Sequence, residues 1–126
     1  GLALLGLDEQ VTLFTASDFS RTLSSNGSGS DHAWGGHQLA LGGAVRGKTI
    51  YGQYPPTFLG NDLDIGRGRI IPSISVDLYF AELALWLGVA KSDLPLVLPN
   101  IDRFYDPNVD LNRSRGLQGI FRTLFR

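Results

Sequence analysis

The run Ser17 to His37, SDFSRTLSSNGSGSDHAWGGH, places the strongest constraint on this chain. It carries both histidines, His32 and His37, and two aspartates, Asp18 and Asp31, in a Gly/Ser-rich stretch that follows a short β-branched and aromatic segment. Neutral imidazole and carboxylate are the ligand types of a zinc- or manganese-like divalent ion. Glycine lets a backbone turn tightly enough to bring neighbouring ligands onto one point. The spacing is by itself a weak signal and is more often that of hydrogen-bonded structural histidines, and both readings stay open at this level. Adjacent Asp31 and His32 point different ways, so both reach metal only if the backbone kinks or if two ions are served. The glycines before His37 allow the chain to double back.

With 126 residues, 43% of them apolar, the chain can bury one modest core, which implies one domain or one piece of a larger one. The 16 glycines exceed the usual share of about 7% and imply long, shaped loops. A formal charge of −1 excludes a whole-chain basic field of the kind that draws nucleic acid. There is no cysteine, hence neither a disulfide framework nor a thiolate nucleophile. No apolar run approaches the roughly 20 residues that span a bilayer, and no basic region precedes the first apolar stretch as in a signal peptide. Gly1 is not an initiator methionine, so a processed, tagged or partial chain is expected.

Taken in order, Gly1 to Leu7 reads as the last turns of a helix closed by Gly6. Val11 to Thr15 reads as a buried strand. A helix end, a tight loop and a buried strand make half of an αβ unit, and in open α/β sheets ligands gather beyond the carboxyl ends of strands. Asp18 sits there; its plainer role is a turn residue. Ser20 to Ser30 lacks any periodicity and reads as loop. Trp34 is expected to pack. Gln38 to Val45 suggests a strand with a glycine kink, and Thr49 to Tyr51 a short return strand. Asn61 to Arg69 reads as a surface loop, because its Asp62 and Asp64 lack the spacing and closing glutamate of a calcium loop. Ile70 to Ile74 is extended. Val76 to Leu87 is the clearest helix, with Ser75 as N-cap, Asp77 in the first turn and Gly88 as stop. Val76, Tyr79, Phe80, Leu83, Trp86 and Leu87 form its expected buried stripe. Ser92 and Asp93 cap a short turn, and Pro95 and Pro99 are expected to keep residues 94–100 irregular. From Asp110 onward a basic amphipathic segment, residues 105–126 in all being set apart as a tail, groups Ile120, Phe121 and Phe125 on one helical face. Such a face docks on its own protein, on a partner or on an anionic membrane.

Three blocks, SDFSRT, SDHAWGGH and GGAVRGKTIYGQYP, followed by GRGRIIPSISVDLYFAELALWLGV and LPNIDRF, resemble the C-terminal third of the bacterial domain-of-unknown-function family 1501. The resemblance covers roughly residues 2–104. It implies an α/β fold, the C-terminal portion of an alkaline phosphatase/sulfatase-like sheet-and-helix domain, in a group whose members often carry a twin-arginine export signal, and so a periplasmic or extracellular setting. It further implies a divalent metal (zinc, manganese or calcium) held by Asp31, His32 and His37 with Asp18 as a fourth ligand, and Arg21 as an oxyanion contact, since a guanidinium fork matches phosphate or sulfate.

Two departures qualify those implications. Where catalytic relatives have Asp-His after the strand, this chain has Asp18-Phe19, and Phe19 cannot ligate. The nucleophile and remaining ligands of such a site lie in a part of the domain that these residues do not contain. Two functions are therefore expected to compete. One is a portion of a metal-dependent phosphate- or sulfate-ester hydrolase-like protein. The other is a non-catalytic structural or self-assembling protein derived from that fold, packed against the remainder of a larger polypeptide or another chain, or forming a homo-oligomer.

Overall fold

The computed structural model describes residues 1–104 and 124–125. Within them the elements are β1 (Thr12–Phe14), β2 (Ser20–Ser25), β3 (Ser30–Ala33), β4 (Ala40–Gly42), α1 (Val76–Trp86) and α2 (Leu94–Val97), with 3-10 turns at Leu2–Leu5, Lys91–Asp93 and Ile101–Arg103. Helices and small sheets are thus mixed along the chain. The strands form two separate antiparallel pairs, β1 with β4 and β2 with β3. No parallel αβ unit forms among the described residues, against expectation.

The N-terminal helix end is a single 3-10 turn, closed as expected by Gly6 at φ 66°. β1 falls inside the expected strand, but it is not buried: Leu13 is 65% and Phe14 44% exposed. Its partner β4 covers one edge in the register Thr12↔Gly42, Leu13↔Leu41, Phe14↔Ala40. The expected loop at residues 20–30 is instead a hairpin, β2–β3, whose strands are too rich in serine and threonine to show apolar alternation. Its tip is built locally: the Asn26 side chain accepts from the Ser28 N–H, Ser25 Oγ from the Gly27 N–H, and Gly27 and Gly29 supply positive φ. Thr49 to Tyr51 forms no strand.

α1 begins as its sequence dictates, with Ser75 Oγ accepting from the Asp77 N–H at 3.1 Å and Gly88 at φ 98° after the last turn. Its buried face shares Leu83 with the expected stripe and otherwise differs from it. Leu78, Ala81, Glu82 and Leu83 are buried, whereas Val76 and Leu87 are 51% and 73% exposed. The helix is apolar nearly all round, so periodicity could not choose the face; the elements after it did. Leu94 and Ile101, both fully buried, pack on Leu78 and Ala81, and Ile74, Leu85, Val89, Leu98 and Phe104 close the cluster. Burying Leu94 and Ile101 is worth about 1.5–3 kcal/mol each. The segment expected to be irregular starts with one helical turn, α2, because Pro95 at its first positions gives up an N–H that has no partner there anyway.

Of the tail face, Ile120 and Phe121 lie outside the described residues. Phe125 is described and docks inward: its ring stacks on Trp86 at 5.3 Å, it bridges Val45, and the Leu124 carbonyl accepts from the Arg46 N–H. Among the described residues no helix is long and apolar enough to cross a membrane.

Candidate functional site

The β2–β3 hairpin carries three of the expected site residues. Arg21 and His32 stand directly across from one another, so their side chains share a face. Phe19, two residues before Arg21, joins them: its ring stacks on the His32 imidazole at 3.8 Å and 9°, and the Arg21 guanidinium carbon lies 5.0 Å from the Phe19 centroid. Arg21 also donates to the Ser30 carbonyl at 2.9 Å. Phe19, which cannot ligate, is therefore the platform on which both polar groups rest.

Asp31 belongs to the other face, since successive strand residues alternate. Its Oδ1 accepts from Asn26 Nδ2 at 2.7 Å and its Oδ2 pairs with Arg67 at 2.6 Å. The Asn26 hydrogen bond is the largest cause that holds its carboxyl below the usual value; desolvation, next in size, opposes it, and the Arg67 charge and hydrogen bond and the Arg69 charge add to the lowering. The pair is half exposed, so salt screens it. Its backbone N–H donates to Thr22 Oγ1, itself buried and donating to the Ser24 carbonyl.

Arg67 and Asp64 organise the segment that the sequence reads as a surface loop. Asp64 gathers a loop around itself: Oδ2 accepts from the Gly60 N–H at 2.9 Å, and Oδ1 from the N–H groups of Gly66 and Gly68 at 2.8 Å each. Those bonds lower its pKa, the Gly60 contribution being the largest. Its oxygens are thereby committed to backbone, which agrees with the rejection of a calcium loop. Buried Asn61 ties the same loop to the Pro56 and Phe58 carbonyls. Arg67 is held at φ 62°, uncommon for a side-chain-bearing residue, and its carbonyl accepts from both the N–H and the hydroxyl of Ser24. Gly68 lies so close to Leu23 that a Cβ there would overlap its backbone and side chain. The visible signal was Gly-Arg-Gly a few residues after an aspartate, a pattern of a carboxylate collecting successive N–H groups.

The two glycines before His37 have a packing reason. Gly35 donates to the Ile70 carbonyl, and a Cβ on it would sit 2.6 Å from that oxygen. His37 then stacks on Tyr54 at 4.7 Å. Trp34, expected to pack, is 66% exposed. Asp18 is exposed in a turn fixed by Ser17, whose hydroxyl bonds the Phe19 backbone.

The ligand set implied by the resemblance can be tested against this geometry. Asp31 and His32 lie on opposite faces of β3, both Asp31 oxygens have partners, and each imidazole rests on an aromatic ring. Among the described residues no three His, Asp or Glu side chains are grouped to hold a metal ion. In this arrangement the residues do not fit a metal centre on their own. What they do form is an exposed face of imidazole, phenyl and guanidinium backed by a second, charge-paired face.

A mixed α-and-β chain with two short antiparallel ribbons, one of them a polar hairpin, is the class that these elements define. Residues 1–62 match the family model described as "Protein of unknown function (DUF1501)", which supports that family for this chain. All three sequence blocks that carried the resemblance lie inside the matched residues. Neither the curated proteins nor the solved structures yielded a match.

Proposed function

We propose that this chain is a scaffold portion of a hydrolase-like protein, completed by further polypeptide and not catalytic by itself. The observation that carries this reading is the imbalance of its apolar surface. Among the described residues nine apolar residues are buried, while Leu13 (65%), Leu39 (65%) and Leu41 (59%) stay exposed on or beside the β1–β4 ribbon and Leu4 (89%) and Leu5 (71%) on the turn that precedes it in the chain. Apolar side chains exposed side by side, as Leu13 and Leu41 are across the ribbon, mark surfaces where other protein packs. Each two-stranded ribbon is also below the size that stands alone in water.

The alkaline phosphatase-like fold, the periplasmic setting and the metal-dependent ester chemistry are parts of the same proposal. In it, exposed His32 and His37, with Asp18, contribute to a metal site whose other ligands come from outside these residues, and Arg21 meets the ester oxyanion; Asp31 joins them only by turning away from Asn26 and Arg67. The exposure of both imidazoles supports this, because a buried ring could not reach a ligand set supplied by another segment.

Titration of the chain with zinc and manganese, beside His32→Ala and His37→Ala, separates the readings. The scaffold reading expects no more than weak, millimolar binding to the isolated chain. Tight binding lost in both variants would overturn it in favour of a self-contained metal centre.

A further inference from the structure

β1 is a strand with one side used and one side open. Antiparallel pairs alternate their hydrogen bonds. The Thr15 N–H donates to the Leu39 carbonyl one step beyond the Phe14↔Ala40 pair, so Leu13 turns its N–H and C=O toward β4. The N–H and C=O of Thr12 and Phe14 then point to the other edge, where among the described residues they have no partner. β4 is different: its Gly42 carbonyl accepts from the Val45 N–H, and the chain turns there to place the Gly43 N–H on the Asp8 carbonyl. The outward groups of Ala40 on β4 are also without a partner among the described residues, but the turn at Gly42 and Gly43 closes that side at once, so the fuller open edge is that of β1.

At three residues the edge is short, which itself limits pairing, but nothing else within it does. Residues 11–17, VTLFTAS, contain neither proline nor a charged side chain, the usual devices that keep an edge from pairing. Leu13 lies beside Leu41 across the ribbon and both are more than half exposed, so a further strand would continue a row of apolar side chains. Charge selects the kind of strand. From Gly1 to Ser20 the side-chain charges are those of Asp8, Glu9 and Asp18, with no lysine or arginine. Two copies pairing antiparallel about Leu13 would bring Asp8 and Glu9 of each toward Asp18 of the other, which is repulsive.

Resting on the scaffold reading above, we infer that the Thr12–Phe14 edge accepts a β-strand from other polypeptide, apolar at alternate positions and basic at its ends. Main-chain bonds to Thr12 and Phe14 supply the pairing, and the acidic flanks supply the choice of partner.

The probes are two synthetic peptides with the same Val-Thr-Val-Thr-Val centre, one with two lysines at each end and one with two glutamates, added to the full chain at low salt. Expected are at least tenfold tighter binding of the lysine peptide, a gap that narrows in 0.5 M salt, and slowed hydrogen exchange at the Thr12 and Phe14 amides. Thr12→Pro, which removes an outward N–H and leaves the Leu13–Leu41 bonds, should lose binding by tenfold or more. If that variant unfolds, the exchange pattern of the unaltered chain decides alone. Equal binding of both peptides, unslowed Thr12 and Phe14 amides, or a stable dimer of the chain without peptide overturns the inference. A stable monomer that unfolds cooperatively and gains no stability from any added segment would instead overturn the scaffold reading itself.

Discussion

The Tyr79 hydroxyl, on α1, lies 3.1 Å from the Thr15 carbonyl and 3.3 Å from the Leu39 carbonyl, and so ties the helix to the adjoining ends of β1 and β4. One phenolic proton shared between two backbone acceptors compensates for a ribbon that is short of its own bonds: the Leu39 N–H donates to Thr15 Oγ1 and not to the Thr15 carbonyl. The Phe14 ring meets the Tyr79 ring edge-on at 6.4 Å, which adds packing at the same joint.

Tyr79→Phe keeps the ring and removes the proton. A loss of about 0.5–1.5 kcal/mol is expected in denaturant unfolding, with the Phe14 contact retained. Partial burial raises the Tyr79 pKa above its ordinary value of 10.0. The folded state therefore holds this proton more tightly than the unfolded state does. Its stabilising share is complete below about pH 10 and is lost as pH rises through the raised folded value. Unfolding midpoints measured from pH 8 to 11 should fall more steeply in the unaltered chain than in Tyr79→Phe.

Leu94→Ala should cost about 2–5 kcal/mol and Ile101→Val about 0.5–1.5 kcal/mol, because both side chains are enclosed and the cavity left behind cannot refill from solvent. Chemical denaturation with an unchanged m-value is the check. An effect under 0.5 kcal/mol for Leu94→Ala would show that the cluster does not carry the fold.

Gly68→Ala and Gly47→Ala make a matched pair. Gly68 has φ 77° and no room beside Leu23, whereas a Cβ on Gly47 meets nothing within 4 Å. The first should destabilise by about 1–3 kcal/mol or more and the second by less than about 0.5 kcal/mol. Carbon-13 shifts of Asp31 should move with Gly68→Ala, since the loop that fails is the one presenting Arg67.

Asp31 should titrate below the usual aspartate range, and Asn26→Ala should raise its midpoint more than Arg69→Gln does, following the order of the causes. Because its folded pKa is depressed, its stabilising share is present above about pH 4 and is lost as pH falls through the folded value. Raising salt to 1 M should bring the midpoint back toward normal through the Arg67 and Arg69 charges and leave the Asn26 share. The readout is the side-chain carboxyl resonance across pH 2–6.

These residues also show where sequence reading succeeds. Ser75, Asp77 and Gly88 bounded α1 correctly because capping is settled within a few residues of chain. Gly6 closed the first turn for the same reason. The hairpin was missed because Ser20 to Ser25 buries Thr22 alone, and no apolar alternation announces such a strand. The buried face of α1 was misread because a helix apolar on every side leaves its orientation to its neighbours. Of the site, the grouping of His32 and His37 on a glycine-rich segment was legible; the partners of Asp31 were not, since Arg67 comes from a distant loop.

The amino-acid order by itself determined the caps, the glycine-dependent turns, the position of β1 and the clustering of both imidazoles in one stretch, all consequences of bonds that reach only a few residues. The tertiary structure alone decided that β1 pairs with β4 on one edge only, that Asp31 faces Arg67 and not His32, and that Phe19 carries the His32 ring. Those outcomes depend on strand register and on a loop gathered by Asp64, and both bring together residues that no local periodicity connects.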